Sequence, residues 1–423
     1  MLKTIRIEKL FNLFNYTIDL NQNGITILTG PNGYGKTTIL RMIHAISTKN
    51  PFFFINLRFD KIELIYDKYE PVTITRTDDK GVQIKVGKNR PAVFNKDKLH
   101  EELSHILKDT PYRQIENERW LDRRTDMIVS TETLLSKILP EISDFESKVL
   151  MDKFPKTPDV YLIREQRLLR RISNRKRRIP GPYYYDEEGM DTFGETIEEY
   201  ARELKDTITK ILAKSSQIAQ ELDSSFPRRL FDEAQEISEQ EFSQRFEKVK
   251  EQQKALTKYG LTVIKEDNHP TYKPENAKAL LVYLNDSEKK LEVFSEIIKK
   301  LDAFTGVLNE RRFAFKRIHI TKENGFEFIT DQKRKLPLTN LSSGEQQEVV
   351  LMYELLFKVN PGTLVLIDEP EISLHVAWQK EFLKDLIRIV DLQDINVVIA
   401  THSPQVINER WDLTIDLEEI ANK

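Results

Sequence analysis

The chain contains no cysteine. Disulfides, thiolate metal sites and a cysteine nucleophile are therefore excluded, and the composition fits a reducing cytoplasm. No apolar stretch approaches the ~20 residues that a membrane helix requires. The N-terminus, MLKTIRIEKL, alternates charge with apolar residues and lacks the uninterrupted apolar core of a signal peptide. Net charge is nearly absent too. At −3 over 423 residues it gives no global pull toward nucleic acid or membrane, so any basic surface must be local. Glycine is scarce at 14 residues, which makes each glycine cluster informative. A content of 39% hydrophobic and 31% charged residues predicts a soluble, cytoplasmic, helix-rich protein with no membrane partner. The length allows two or three domains, or one domain with a large insertion.

Along the chain, Thr4–Glu8 alternates, Tyr16–Leu20 follows, and Ile25–Leu28 leads into a glycine-bearing loop before helical spacing at Leu40–Ile46. Alternation returns from Phe52 to Val86, with Asp78-Asp79-Lys80-Gly81 as a hairpin turn, which predicts a small antiparallel sheet. Leu99 to about Lys153 reads as helical and charged, and Val160–Ile163 as a short buried strand. Further on, Ile197, Ala201, Leu204, Ile208, Ile211, Ser215, Ile218 and Leu222 step alternately by four and three. That is a heptad seam roughly 39 Å long at ~1.5 Å per residue. Phe242, Phe246, Val249 and Leu256 form a second segment, and Leu280, Leu284, Leu291, Phe294, Ile298, Leu301 and Leu308 a third. Bends are expected at Pro227 and at Tyr259-Gly260. The segments predict a packed helical bundle or a short coiled-coil arm. Strands return at Phe313–Ile320 and Phe326–Thr330, followed by helix, strand, helix, strand, helix.

The motif GPNGYGKTT comprises Gly30, Pro31, Asn32, Gly33, Tyr34, Gly35, Lys36, Thr37 and Thr38, between a predicted strand and a predicted helix. Glycines let the backbone wrap so that its N–H groups face a β-phosphate. Lys36 supplies an ammonium to the β- and γ-oxygens, and the Thr37 hydroxyl a ligand for Mg²⁺. By chance the pattern arises on the order of one time in a hundred in a chain this long. TLVLIDEPEISLH, residues 363–375, places Asp368 and Glu369 at the end of an apolar strand. Asp368 is placed to hold hydrated Mg²⁺, and Glu369 to orient or deprotonate a water attacking a γ-phosphate. A third strand end, in VVIATHSPQVI, carries His402, which suits a γ-phosphate sensor. The turn Leu341-Ser342-Ser343-Gly344-Glu345 opens another helix, whose unpaired N–H groups suit an anion.

In this order these motifs resemble the ABC-type ATPase superfamily. The resemblance implies an α/β head with a mixed, largely parallel sheet, a flanking antiparallel β lobe and a large helical or short coiled-coil insertion. Expected boundaries are 1–98 for the first part of the head, 99–155 for a helical insertion, 156–180 for a strand and basic segment, 181–310 for the helical insertion and 311–423 for the rest of the head. The cofactors implied are ATP and Mg²⁺. In the superfamily the signature turn caps the γ-phosphate held by another head, so Ser342, Ser343, Gly344 and Glu345 would act in trans, with Ser342 and Gly344 in direct contact. Ser343 and Glu345 depart from the transporter-like LSGGQ and match the non-transporter branch. Gln166 would link Mg²⁺ to the helical part, Ser373-Leu374-His375 would cross to the opposite site, and Phe14 or Leu13 would flank the adenine.

LSSGEQQ followed by DEPEISLH is similar to the RecF- and OLD-like ATPases, and most to ATPase subunits of bacterial anti-phage systems. Such a subunit pairs with itself, head to head or as a higher even oligomer. It controls a separate effector, a TOPRIM-like or HNH-like nuclease, since only about twenty residues follow His402. Arg164, Arg167, Arg170, Arg171, Arg175, Lys176, Arg177 and Arg178, with Tyr183-Tyr184-Tyr185 beyond, form the densest charge cluster. It suits a phosphate backbone with base stacking, a solvated loop, or an acidic partner protein. The competing expectation is a DNA-repair ATPase loaded through these arginines.

Overall fold

A computed structural model describes residues 1–21, 24–78, 81–108, 110–116, 119–124, 126–131, 134, 154–164, 169–171, 193–262, 270–310, 313, 315–374 and 376–421. The chain forms two compact units, residues 1–193 with 358–423, and residues 194–357. The segment 311–357, with the signature helix, thus groups with the helical unit.

The first unit is built on two sheets. An antiparallel one comprises β1 (Leu2–Leu10), β2 (Phe14–Asp19), β4 (Lys61–Tyr66), β5 (Val72–Asp78), β6 (Gly81–Val86) and β7 (Ala92–Asn95), in the order β2-β1-β4-β5-β6-β7. Ile5, Ile7, Ile62, Leu64, Val72, Ile74, Val82 and Ile84 are buried, in keeping with strands that turn alternate residues to a core. The other sheet is parallel: β11 (Val160–Ile163), β17 (Leu364–Asp368), β18 (Asn396–Ala400), β3 (Ile25–Thr29) and β19 (Thr414–Asp416), in that order. Every residue of β3 and β17 is buried, which is why Leu364–Ile367 reads as an unbroken apolar run and only Thr26 interrupts Ile25–Leu28. Helix α1 (Lys36–Ser47) joins the sheets into one core, with Ile39, Leu40, Met42, Ile43 and Ile46 clustered with Leu28, Leu366, Val398 and the β-lobe residues. Burying each such side chain contributes about 1.5–3 kcal/mol.

Two expectations fail here. Alternation was expected from Phe52, yet Pro51–Asn56 is a helix, α2. Asn50 caps it by accepting from the Phe53 N–H, and Pro51 occupies the first turn, where its missing N–H costs nothing. The short run PFFFI does not distinguish strand from helix by pattern alone. Likewise Leu99–Lys153 is not continuously helical. Helix α3 (Lys96–Ile106) gives way to a three-stranded antiparallel sheet of β8 (Tyr112–Glu116), β9 (Arg119–Asp122) and β10 (Met127–Ser130). The exposed, charged faces of these strands mimic helix composition. Buried Trp120, donating from Nε1 to the Thr131 hydroxyl at 3.0 Å, anchors the sheet. The short strands β12 (Leu169–Arg171) and β13 (Phe193–Glu195) follow β11.

In the second unit, helices Thr196–Asp232, Glu239–Lys258, Ala277–Glu292 and Ser295–Glu310 pack with an antiparallel sheet of β14 (Lys316–Thr321), β15 (Gly325–Thr330) and β16 (Lys335–Leu336). Of the first heptad seam, Ile197, Ala201, Leu204 and Ile208 are buried, and Ile211, Ser215, Ile218 and Leu222 only half-buried. Pro227, expected at a bend between segments, lies within the 37-residue helix. There Arg229 donates to the Leu222 carbonyl at 2.7 Å and to Asp286 on the helix Ala277–Glu292, tying the proline-bearing turn to its neighbour. The bend expected at Tyr259-Gly260 is present, with Gly260 at φ 64° just past the helix end. Gly325, at φ 75°, sits where a Cβ would come 1.9 Å from the Ala201 carbonyl oxygen, so only glycine lets the hairpin approach the long helix. An aromatic cluster of Phe304, Phe326, Tyr353 and Phe357, with Tyr200 stacked on Tyr353 at 4.5 Å, holds the signature helix Ser343–Tyr353 in this unit.

Candidate nucleotide site

Parallel pairing sets β17, β18 and β3 side by side, with Ile367 opposite Ile399 and Ile399 opposite Ile27. Their C-terminal ends therefore line up, and each is followed by one of the motifs. This is the usual place for a ligand on an open α/β sheet.

After β3, Gly30, Gly33 and Gly35 take φ values of 130°, 91° and 89°. Gly35 is constrained twice: its backbone is left-handed, and a Cβ would meet Leu10 Cδ2 at 2.9 Å. The loop then enters α1 at Lys36. Lys36 is buried, its ammonium donating to the carbonyls of Gly30 at 2.7 Å and Pro31 at 3.2 Å. The Tyr34 hydroxyl donates to Glu418 at 3.1 Å, and Phe14 stacks on the Tyr34 ring at 5.1 Å. Leu13, beside it, is 73% exposed. Asn32 and Thr38 lie within the same loop and first turn of α1.

The Thr37 hydroxyl donates to Asp368 Oδ1 at 2.9 Å. A hydroxyl from the first turn of α1 and a carboxylate from the end of β17 form the hard-oxygen donor set that Mg²⁺ requires, so the residues fit the ion. Glu369 follows with φ 43° and ψ 62°, left-handed backbone that a non-glycine residue adopts only at a cost. Its N–H donates to the Ala400 carbonyl at 2.9 Å, fixing the turn to β18. Burial pushes the Glu369 carboxyl above the ordinary range; Glu371 and Asp368 add to this, while His402 and Lys36 oppose it. The His402 ring, half exposed, sets Nδ1 3.6 Å from Glu369 Oε1 and 3.4 Å from Glu371 Oε1.

Sequence reasoning missed Glu371. It is buried, and its Oε1 accepts from the Thr401 hydroxyl at 2.7 Å and the His402 N–H at 3.0 Å. A second acidic residue two positions after Glu369 was the available signal. The contribution of β19 and Glu418 to the phosphate loop was also missed, because Thr-Ile-Asp is too short for a periodic pattern.

In the second unit, Ser342 caps its helix by accepting from the Glu345 N–H at 3.4 Å. Glu345 Oε2 accepts from the Ser342 N–H and from Lys316 Nζ, each at 2.9 Å. Burial opposes ionisation of Glu345, but Lys316 and Ser342 together hold its carboxyl below the ordinary range. Ser342 and Ser343 are exposed and Gly344 half-exposed. Glu345 thus orders the turn from behind and leaves the serines and the glycine at the surface.

Gln166, Arg167, Arg175 to Arg178, Tyr183 to Tyr185 and His375 lie outside the described residues. Arg170 and Arg171 fall in β12.

The AAA ATPase domain family (AAA_15) matches residues 1–407. The chain belongs to this family. Its phosphate loop, paired carboxylates and histidine follow three adjacent parallel strands of one sheet. Protein ea59 of Escherichia phage lambda is 29% identical over 133 residues, covering 29% of this chain and 25% of that protein. UvrABC system protein A of Listeria monocytogenes (serotype 4b) is 33% identical over 118 residues, 24% of this chain and 12% of its own. The molybdenum import ATP-binding protein ModC of Bordetella pertussis is 32% identical over 106 residues, 25% of this chain and 28% of its own. The chain thus spans between 12% and 28% of the length of these relatives. Among solved structures, an Smc head domain from Pyrococcus furiosus, bound to the C-terminal domain of ScpA, matches 96% of this chain and 90% of its own at 13% identity and a TM-score of 0.38. The SMC head domain of Thermotoga maritima matches 98% and 94% at 12% identity and 0.37. Among the described residues no helix is long and apolar enough to cross a membrane.

Proposed function

We propose that the chain hydrolyses ATP at sites shared between paired copies and serves, in the cytoplasm, as the sensor and scaffold of a two-component anti-phage system. Its relatives in kind would be AriA of PARIS systems and, next, PtuA of Septu systems. Its partner is a separate TOPRIM-like or HNH-like nuclease, or another toxin, held until infection is sensed. The observation that carries the shared site is the signature turn, ordered from behind by Glu345 and Lys316 with Ser342, Ser343 and Gly344 left at the surface.

Hydrolysis follows from the residues. Loop N–H groups and the Lys36 ammonium take the β- and γ-phosphate oxygens, the lysine exchanging its two carbonyl partners for them. Thr37 and Asp368, joined by Gln166, would hold Mg²⁺, which neutralises charge on the β- and γ-phosphates when bound. Glu369 accepts a proton from water as the water oxygen bonds to the γ-phosphorus and the bond to the bridging oxygen breaks, giving ADP and phosphate. His402 contacts the departing γ-phosphate, and the partner copy's signature turn closes over it.

The test is co-expression with the product of the adjacent gene. Retention of a nuclease on the chain, and its release on infection, supports the defence role; no such association removes it. The Arg164 to Arg178 cluster favours a second reading, a RecF-like repair ATPase on DNA. That reading requires DNA-stimulated hydrolysis falling steeply with salt, with a slope near −0.9 per phosphate contacted.

A further inference from the structure

Glu371 is a buried carboxylate that the proposed hydrolysis does not use. A carboxylate taken out of water costs several kcal/mol unless it is compensated. Yet among the described residues the one basic side chain that pairs with Glu371 is His402. Its Oε2 is buried and accepts no hydrogen bond there, so its placement is set through Oε1. Oε1 gathers three groups of one short segment: the Thr401 hydroxyl, the His402 N–H and, at 3.4 Å, His402 Nδ1. The Thr401 hydroxyl in turn accepts from the Ser403 N–H at 3.0 Å. Gln379 repeats the link from the next helix. Its Nε2 donates to the carbonyls of Glu371 and Leu374, both at 3.1 Å, and its Oε1 accepts from the Ser403 hydroxyl at 3.1 Å. Side chains thus tie the turn after the carboxylates to the loop after β18 at both ends.

We propose that Glu371 is a positioning residue that fixes the orientation of His402. With Nδ1 directed to the Glu371 and Glu369 carboxylates, Nε2 is the nitrogen left to meet the γ-phosphate. The same contacts make the turn 371–374 and the histidine move together, so a displacement of that turn reaches the ring through Gln379 and Glu371. The inference rests on ATP hydrolysis at this site.

The test is a double-mutant cycle read by kcat and by ATP Kd. Glu371→Ala should lower kcat roughly ten- to a hundredfold and leave Kd within about threefold, since Glu371 would act through a group engaged in turnover. Glu371→Gln, which keeps an oxygen for the Thr401 hydroxyl and the His402 N–H, should lose less. Glu371→Ala combined with His402→Ala should be no slower than His402→Ala alone. Losses that multiply, or a Glu371→Ala protein turning over at the wild-type rate, would overturn the proposal. Should Glu371→Ala fail to fold, the near-isosteric Glu371→Gln completes the cycle, and multiplied losses overturn the proposal there too. Failure of the ATPase reading looks different: a Lys36→Ala protein would bind and hydrolyse ATP as the wild type does.

Discussion

In the proposed site Lys36 binds the nucleotide. Its buried ammonium already sits among the loop carbonyls, poised over the strand end. A hydrogen bond from a charged group contributes about 1.5–3 kcal/mol, so Lys36→Ala should raise the Kd for ATP roughly ten- to a hundredfold. Titration with a fluorescent ATP analogue measures this, and unchanged affinity would remove the site. In the proposed reaction Glu369 is the base. Glu369→Gln keeps the shape and removes the base, so ATP should still bind while kcat falls about 10²- to 10⁴-fold. The sign of the pH effect follows from burial: the carboxyl titrates above the ordinary range, and only its ionised form accepts a proton. Wild-type turnover should therefore fall on acidification at a pH where an ordinary carboxylate is still fully ionised. The slow Glu369→Gln enzyme should lose that limb, and a limb surviving unchanged would assign it to another group.

At the level of elements, the signature helix depends on its first turn. Ser342→Ala removes one half of the capping box and should cost about 1 kcal/mol, seen as a lower midpoint in chemical denaturation. Because the Glu345 carboxyl is held below its ordinary range, its contribution is present above the unfolded-state pKa and lost as pH falls through the lowered folded value. Lys316→Met should flatten that acid dependence; a midpoint with the same acid sensitivity would show that Lys316 does not hold Glu345. The elements readable from sequence share one property. β3, β17 and β18 are covered on both faces and spell themselves out as mainly apolar segments ending in chemistry. α2 and β8 to β10 were misread because tertiary burial, not local pattern, decided them: PFFFI fits either period, and strands with exposed charged faces look helical. Glu371 was illegible for a related reason, since its role depends on β18 lying beside β17, a neighbour about thirty residues away in sequence.

For the whole molecule, the proposed pairing of copies is tested by mixing two defective proteins. Lys36→Ala lacks a working phosphate loop but keeps its signature turn. Gly344→Asp keeps the loop and loses the turn. Aspartate in the first turn of a helix suits the helix dipole, so this variant should fold while its carboxylate repels a γ-phosphate. If each site joins one copy's loop to the other's turn, a mixed pair holds one doubly damaged site and one intact site. Random exchange makes about half of all pairs mixed, so hydrolysis should recover to about a quarter of the wild-type rate per chain at equal concentrations. Neither variant alone should exceed its own low rate at any concentration, and wild-type turnover should rise with concentration as pairs form. If the mixture stays as slow as its components although the two copies exchange, the signature turn serves its own chain or no nucleotide at all. A site complete within one chain would also keep wild-type turnover per molecule constant on dilution below the pairing range.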